Sequence, residues 1–270
     1  MRFLRLSGAN PIWEEEKMII GHKIFGKGPE KVIVLHGWLA DYSVFEPMFP
    51  ALDTEKFTYA FIDYRGYGLS KEIAGKHTME EIGQDALGLA DHLGWSRFHV
   101  IGHSMGGKAV QWLAAKATDR VKSGIAVTPA PACEVPLEPE ALPIFENAAD
   151  IPKNRGMIIM QSSGNRHSEA WERWMIERSL ATTTRDAFAD YFIAWSKEDF
   201  VSMVNGVRTP LKVLAGEYDP HLTAEVMQQT ILQWFPNAGL EVLRNAGHYP
   251  MIEIPINLAT ICDNFMWSHR

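Results

Sequence analysis

Gly102-His103-Ser104-Met105-Gly106-Gly107 joins an apolar run at 98–101 to a helical pattern at 108–116. This order predicts a strand, a sharp turn and a helix, with the hydroxyl of Ser104 exposed at the carboxyl end of the strand. The flanking glycines lack the Cβ atoms that would clash in so tight a turn. A glycine-flanked serine alone would also fit an ordinary loop, but the strand before it and the helix after it favour a nucleophile.

Strand and helix patterns alternate on both sides of this turn. Continuous apolar runs predict strands buried on both faces of a sheet, and amphipathic runs predict the helices between them. This alternation is typical of an α/β protein with a doubly wound, mostly parallel sheet. We predict eight strands, the first two an antiparallel pair, at 3–7, 18–25, 31–36, 58–63, 98–102, 123–127, 211–215 and 240–243. The predicted helices cover 44–52, Thr78 to near Gly94, 105–117, 222–234 and about 255–267.

The alternation breaks after the strand at 123–127. Five prolines fall between 129 and 143, and the chain then has a helical pattern up to about residue 206. One apolar run in this region, 157–160, fits either a strand or a helix. We interpret 130–206 as a helical cap, or lid, inserted into a core domain made of residues 1–129 and 207–270.

Composition narrows the class of protein. The formal net charge of −7 argues against a nucleic-acid partner, which would require a basic surface. The two cysteines, Cys133 and Cys262, lie far apart, so neither a disulfide framework nor a metal-binding spacing is expected. The first residues do not have the pattern of a signal peptide and no apolar run approaches the length of a membrane helix, so we expect neither. We therefore expect a soluble cytoplasmic protein without a metal or cofactor, while its oligomeric state stays open.

A nucleophilic serine needs a base, and that base needs an acid to orient it. His248 follows the last predicted strand in a Gly-His turn, and Asp219 lies four residues after the strand at 211–215. The order Ser104, Asp219, His248 is the one expected for a hydrolase built on such a sheet. Glu217 is the nearest rival acid. We predict Ser104 as nucleophile, His248 as general base and Asp219 as its orienting partner.

Acyl transfer also needs two backbone donors for the developing oxyanion. The N–H of Met105, directly after the serine, is one candidate, and the N–H of Trp38, after the strand at 31–36, is the other. We expect His36 to hydrogen-bond the loop that carries Trp38. His103 is expected to pack beside the sheet rather than to contact the serine hydroxyl.

Several motifs at the predicted strand ends form a pattern known from one family. They are His36-Gly37-Trp38, Asp63-Tyr64-Arg65-Gly66-Tyr67-Gly68-Leu69-Ser70, Gly102-His103-Ser104-Met105-Gly106-Gly107, Gly216-Glu217-Tyr218-Asp219 and Gly247-His248. On these motifs the chain resembles the α/β-hydrolase superfamily over essentially its full length. The resemblance implies the α/β-hydrolase fold, and it is specific for the fold rather than for the substrate.

The resemblance also separates some branches of the superfamily. Haloalkane dehalogenases and epoxide hydrolases of this fold use an aspartate where this chain has Ser104, which makes both improbable. Hydrolases of carbon–carbon bonds in ring-cleavage products usually carry Asn where this chain has His103, and Trp where it has Tyr249. Hydroxynitrile lyases and cofactor-free haloperoxidases are not separated by the motifs.

By this resemblance, we expect a serine esterase that acts on small to medium apolar or aromatic esters. A lactonase or a carbon–carbon bond hydrolase is the alternative, and a non-catalytic ligand receptor is the alternative from another class. Methionines and tryptophans are frequent in the cap and could form an adaptable apolar wall. The residues predicted to contact the substrate are Met160, Trp171, Trp174, Phe192 and Trp195.

Overall fold

A twisted, seven-stranded sheet organises residues 18–270, the part of the chain that the computed structural model describes. Its spatial order is β1-β3-β2-β4-β5-β6-β7. β1 pairs antiparallel with β3, and every other pair in the sheet is parallel. The strands are β1 (His22–Gly26), β2 (Glu30–Leu35), β3 (Phe57–Ile62), β4 (Phe98–His103), β5 (Val121–Val127), β6 (Leu211–Gly216) and β7 (Ala238–Leu243).

The mostly parallel α/β sheet confirms the predicted fold class. The first of the eight predicted strands, at 3–7, lies outside the described residues. The central strands β3 and β4 are buried along their whole length, because helices cover both faces of the sheet. This explains why their sequences are continuous apolar runs rather than alternating ones.

Eleven α-helices connect and follow these strands within residues 18–270. Thr78 caps the first of them as predicted, because its side-chain oxygen accepts the N–H of Glu81. The helices are α1 (Met79–His92), α2 (Met105–Lys116), α3 (Leu142–Glu146), α4 (Pro152–Ser162), α5 (Glu169–Thr182), α6 (Arg185–Lys197), α7 (Val201–Val204), α8 (Ala224–Gln229), α9 (Ile231–Trp234), α10 (Pro250–Glu253) and α11 (Pro255–Ser268).

Two predicted helices differ from the observed ones. The helix predicted at 222–234 is divided into α8 and α9, because Thr230 leaves helical geometry at φ −124° and ψ −93°. The helix predicted at 44–52 is a 3₁₀ helix, Tyr42–Ala51, with Pro47 and Pro50 inside it. Proline lacks a backbone N–H, so each removes a donor that a regular α-helix would use.

The segment between β5 and β6, which we call the helical insertion (residues 130–206), contains α3 to α7. The ambiguous run at 157–160 is helical and lies in α4. Trp38, after β2, donates an indole hydrogen bond of 2.7 Å to the carbonyl oxygen of Phe188 in α6. This bond connects the insertion to the carboxyl edge of the sheet.

His99 gives the fold a testable pH dependence. It is buried in β4, where its ring nitrogens lie 2.8 Å from Ser123 Oγ and 3.3 Å from Glu30 Oε2. Burial lowers the pKa of His99 to about 4, although the carboxylate of Glu30 opposes this shift. In the unfolded chain the pKa returns to near 6.5, so unfolding takes up a proton between these pH values. His99 should therefore contribute a fall of about 2 kcal/mol in the free energy of unfolding between neutral pH and about pH 5.

Urea unfolding of the wild type and two variants would measure this contribution. His99→Gln should reduce this fall by about 2 kcal/mol, because it removes one of the groups that take up a proton on unfolding, while the buried His36 and His103 keep theirs. His92→Gln, at the exposed end of α1, should leave it unchanged. An equal pH dependence in His99→Gln and the wild type would contradict the assignment to His99.

Candidate active site

Ser104 lies in a sharp turn between β4 and α2, as the glycine-flanked motif predicts. Its backbone has a φ of 55°, in the left-handed region that residues other than glycine seldom adopt. A Cβ atom on Gly102 would lie 2.2 Å from the carbonyl oxygen of Gly106, and one on Gly106 would lie 2.5 Å from that of Leu35. Only glycine fits these two positions, because a Cβ atom at either would collide with a carbonyl oxygen. The tight turn therefore explains why glycines flank Ser104 in the sequence.

The side chains of Ser104, His248 and Asp219 meet at the carboxyl edge of the sheet. His248 Nε2 lies 3.0 Å from Ser104 Oγ, and His248 Nδ1 lies 2.7 Å from Asp219 Oδ2. When Nδ1–H donates to the carboxylate, Nε2 is left to accept the hydroxyl proton of Ser104. The three residues follow β4, β6 and β7, whose carboxyl ends share this edge.

Asp219 is buried, and both of its carboxylate oxygens are held. Oδ1 accepts hydrogen bonds of 3.0 Å from the backbone N–H groups of His221 and Leu222. Burial acts to raise the pKa of Asp219, but the imidazole of His248 and these two N–H groups outweigh it, so the pKa lies below its ordinary value. The carboxylate is therefore ionised at neutral pH and favours one tautomer of His248.

Glu217, the rival acid, is engaged elsewhere, because its Oε2 accepts the backbone N–H of Asn245 at 2.8 Å. His103 and Thr128 both bind the carbonyl oxygen of His248, through Nε2 at 2.8 Å and Oγ1 at 3.1 Å. Burial lowers the pKa of His103 well below its usual range, so the ring is neutral. Both side chains support the backbone of His248. Sequence reasoning missed this role of Thr128, because no local pattern indicates it.

Two backbone N–H groups near Ser104 are available to a ligand. Met105 is the first residue of α2, so its N–H has no acceptor within the helix. The N–H of Trp38 donates to no partner within residues 18–270. The loop of Trp38 runs close to the serine, since a Cβ on Gly37 would lie 3.3 Å from Ser104 Cβ. Among the described residues, these two N–H groups are therefore left to donate to a ligand beside Ser104.

The loop that carries Trp38 is held by buried ring side chains. His36 Nδ1 donates a 2.8 Å hydrogen bond to the carbonyl oxygen of Gly37, which confirms its predicted role. The hydroxyl of Tyr64 donates to the carbonyl oxygen of His36 at 2.8 Å, and that of Tyr67 donates to the carbonyl oxygen of Trp38 at 2.9 Å. Both tyrosines belong to the motif at 63–70, whose contribution to this loop was not predicted.

A cavity of about 300 Å³ opens beside Ser104 and His248. Its wall is mainly apolar, and among the residues that line it there is no Lys or Arg. Glu138 is its acidic member apart from Asp219. The apolar side chains include Trp38, Leu39, Val135, Leu137, Phe145, Ile158, Trp195 and Leu222.

Of the five residues predicted to contact the substrate, Trp195 lines the cavity and the other four do not. Phe192 lies behind the wall, with its ring 5.6 Å from those of Trp38 and Trp195. Three other side chains also lie outside the cavity lining, those of Met160, Trp171 and Trp174. Trp171 packs edge-on against Tyr249, Trp174 is 42% exposed beside Arg178, and Met160 is partly buried in α4.

The difference between the five predicted residues and the observed cavity wall has a physical reason. The wall is formed instead by the proline-rich segment at 135–141 together with Phe145 and Ile158. Residues 135–141 have no regular secondary structure, so helical periodicity could not reveal which of their side chains face the cavity. On α5, Trp174 is 42% exposed, whereas Met175, the next residue in the sequence, is fully buried.

Some features bear on cofactors and membranes. Within residues 18–270, no group of three or more His, Cys, Asp or Glu side chains is arranged to hold a metal ion. Both cysteines are free thiols. The described helices include none that is long and apolar enough to cross a membrane.

Comparisons with known proteins agree with this geometry. A family model described as alpha/beta hydrolase fold matches residues 31–164. The chain is 28% identical over 254 residues to a pimeloyl-(acyl-carrier protein) methyl ester esterase from Nitrosomonas europaea, covering 88% of this chain and 96% of the relative. It is 24% identical over 251 residues to 3-oxoadipate enol-lactonase 2 from Acinetobacter baylyi, covering 89% and 90%.

Solved structures show the same fold. An esterase (EaEST) from Exiguobacterium antarcticum superposes with a TM-score of 0.81 at 20% identity, over 91% of this chain and 94% of that one. The chain belongs to the α/β-hydrolase superfamily. The names of its relatives support hydrolase activity.

Proposed function

We propose that the protein is a serine hydrolase that cleaves carboxylic esters through an acyl-enzyme on Ser104. One observation carries this proposal. His248 lies 3.0 Å from Ser104 Oγ and 2.7 Å from Asp219 Oδ2, beside an apolar cavity. A serine hydroxyl is a weak nucleophile at neutral pH unless a base takes its proton during attack. In this proposal His248 is that base and Asp219 orients it, and the two distances support these roles.

In the proposed reaction, Ser104 Oγ attacks the ester carbonyl carbon while His248 Nε2 takes the hydroxyl proton. The carbonyl oxygen becomes an oxyanion and accepts hydrogen bonds from the N–H groups of Trp38 and Met105. His248 then gives the proton to the leaving alcohol oxygen as the C–O bond breaks. A water molecule then attacks the acyl carbon while His248 takes its proton, and His248 gives this proton to Ser104 Oγ as the acyl–oxygen bond breaks, which releases the acid and free Ser104. Asp219 stabilises the imidazolium in both steps.

Among the described residues, those of the cavity wall include no Lys or Arg, which favours substrates without a negative charge. A carboxylate on the acyl group would leave water for an apolar wall without a Lys or Arg to pair with it, which is costly. Glu138 at the wall adds like-charge repulsion. Apolar and aromatic acyl groups of modest size fit a cavity of about 300 Å³ lined by Trp38, Phe145 and Trp195.

Matched p-nitrophenyl esters test this substrate class. The value of kcat/KM should be at least about tenfold higher for the butyrate than for the hemisuccinate, whose acyl group has the same length and a terminal carboxylate. Glu138→Gln should narrow this ratio by about twofold, because Glu138 is solvent-exposed and its charge is screened. Glu140→Gln, outside the lining, is the control. A preference for the charged acyl group would contradict the proposal.

We also propose that residues 130–206 form a cap over the cavity, and that residues 1–129 and 207–270 form the core domain. The insertion contributes Val135, Phe145, Ile158 and Trp195 to the wall opposite the loops of the sheet. Trp38 binds this insertion through the carbonyl oxygen of Phe188, so the same loop serves the oxyanion site and the cap.

Lactone hydrolysis is a second candidate activity. It is favoured by the similarity to the enol-lactonase, because a lactone is an internal ester that the same steps would open. A panel of esters, lactones and ring-cleavage products against the purified protein would rank these activities and carbon–carbon bond hydrolysis. Failure of a fluorophosphonate to label Ser104 would favour the non-catalytic receptor instead.

A further inference from the structure

Arg166 lies in the loop between α4 and α5 and contacts both loops that carry the partners of Ser104. Its Nη1 lies 3.2 Å from Glu253 Oε2, and its Nη2 donates a 2.7 Å hydrogen bond to Asn245 Oδ1. Its guanidinium carbon lies 3.9 Å from the centroid of the Tyr218 ring. Tyr218 directly precedes Asp219, and Asn245 lies three residues before His248. One side chain of the helical insertion thus bridges the acid loop and the base loop.

Glu253, the ionic partner of Arg166, holds the turn of His248 from the other side. Its carboxylate accepts the backbone N–H groups of Gly247 at 2.9 Å and Tyr249 at 3.0 Å, the residues on either side of His248. Only 2% of its side chain is exposed. A buried carboxylate that accepts two N–H groups fixes the backbone between them, and a nearby cation compensates its charge.

The backbones in this region are also packed without free space. A Cβ on Gly247 would lie 2.7 Å from the Cα of Ser163, so the base turn touches the start of the Arg166 loop. A Cβ on Gly164, where φ is +72°, would lie 2.9 Å from the carbonyl oxygen of Tyr218. The loop at 163–167 therefore contacts the base loop and the acid loop by its backbone as well as through Arg166.

We propose that Arg166 is a positioning residue, which fixes the loop of His248 relative to the loop of Asp219. The inference rests on the proposed function, in which the His248–Asp219 contact orients the base. A solvent-exposed ion pair alone contributes little to stability. Arg166 differs from such a pair, because it joins a buried carboxylate, an amide and an aromatic ring from two separate loops. It does not line the cavity, so it should affect alignment and not substrate binding.

Kinetics of matched variants test the role of Arg166. Arg166→Met keeps an unbranched, flexible stem but removes the charge and the donors, and should lower kcat about fivefold with KM changed by less than about twofold. Arg166→Lys, which keeps the charge, should recover part of the loss. Arg173→Met is the control on α5, since Arg173 has 64% of its side chain exposed and, among the described residues, forms its one ion pair with Glu169. It should change kcat by less than about twofold.

A double variant tests whether Arg166 acts through Glu253. Glu253→Gln should lower kcat more than Arg166→Met does, because it disturbs the carboxylate that binds both N–H groups. If the two residues form one unit, the double variant should be no slower than Glu253→Gln alone. If the losses in kcat of the two single variants multiply in the double variant, Arg166 does not act through Glu253. All assays should be run at a temperature well below the melting temperature of each variant, so that unfolding does not lower kcat.

Proton NMR measures the alignment without turnover. The proton between His248 Nδ1 and Asp219 should give a downfield signal in the wild type, assigned by its loss in Asp219→Asn. The signal should weaken in Arg166→Met through faster exchange with water and persist in Arg173→Met. A wild type without this signal, or equal signals and equal kcat in the two methionine variants, would overturn the positioning role. If a fluorophosphonate leaves the wild type unlabelled, the hydrolase function fails, while the NMR comparison still decides the role of Arg166.

Discussion

Ser104→Ala is expected to lower the rate of p-nitrophenyl ester hydrolysis by about 10⁵-fold or more. The substitution removes the atom that would form the acyl-enzyme, and neither His248 nor the two backbone donors can replace it. The melting temperature should change little, because the one side-chain hydrogen bond of Ser104 Oγ among the described residues is that with the ring of His248. The measurements are initial rates, labelling by a fluorophosphonate and a thermal melt.

Ser202→Ala is a suitable control for this experiment, since Ser202 is exposed on α7 and outside the cavity wall. It should keep full activity and full labelling. Turnover retained in Ser104→Ala would refute Ser104 as the nucleophile. A large fall in its melting temperature would make the loss of activity a matter of folding.

Asp219→Asn is expected to lower kcat by about 10⁴-fold. The backbone N–H groups of His221 and Leu222 bind Oδ1 at 3.0 Å, so they should hold the amide oxygen of the new asparagine at that position. Its NH₂ group would then face His248 Nδ1, which would have to accept a hydrogen bond. In that tautomer Nε2 carries the proton and does not accept the one from Ser104. The loss should therefore appear in kcat with a nearly intact fold.

Glu217→Gln is the matched control for Asp219→Asn, because Glu217 is the other acid of the same loop. Its Oε2 accepts the N–H of Asn245 and makes no contact with His248. The amide oxygen of glutamine can accept the same bond, so kcat should change by less than about twofold. A larger loss in Glu217→Gln than in Asp219→Asn would move the role of the acid to Glu217.

The contacts around His248 divide clearly into those that local sequence indicates and those that it does not. The glycine-flanked Ser104 and the Gly-His turn each follow an apolar run, so strand ends predicted both positions. Glu253 and Arg166 have no such signal. Their importance depends on α10 and the insertion meeting the same turn, and this requires three separate parts of the chain to fold together.

The cavity wall shows the same division. Trp195 was predicted to contact the substrate because tryptophan is frequent in the insertion, and its side chain lines the cavity. Trp174 came from the same argument and is 42% exposed. An irregular, proline-rich segment supplies much of the wall, and no periodic pattern reports which way its side chains point. Side-chain direction there depends on distant parts of the chain, such as α6, where the carbonyl oxygen of Ser196 accepts the N–H of Val135.

By itself, the sequence determined the strand–turn–helix at Ser104, the mostly parallel sheet and the order of the three residues at its edge. These features are local, because glycine requirements, apolar runs and strand ends act over a few neighbouring residues. Only the tertiary structure decided which acid binds His248, which residues form the cavity wall and how Arg166 joins the two loops. Those features depend on contacts between residues more than 25 positions apart, such as Asp219 and His248, which are 29 positions apart. Folding brings such residues together through packing of the whole core, which no single stretch encodes.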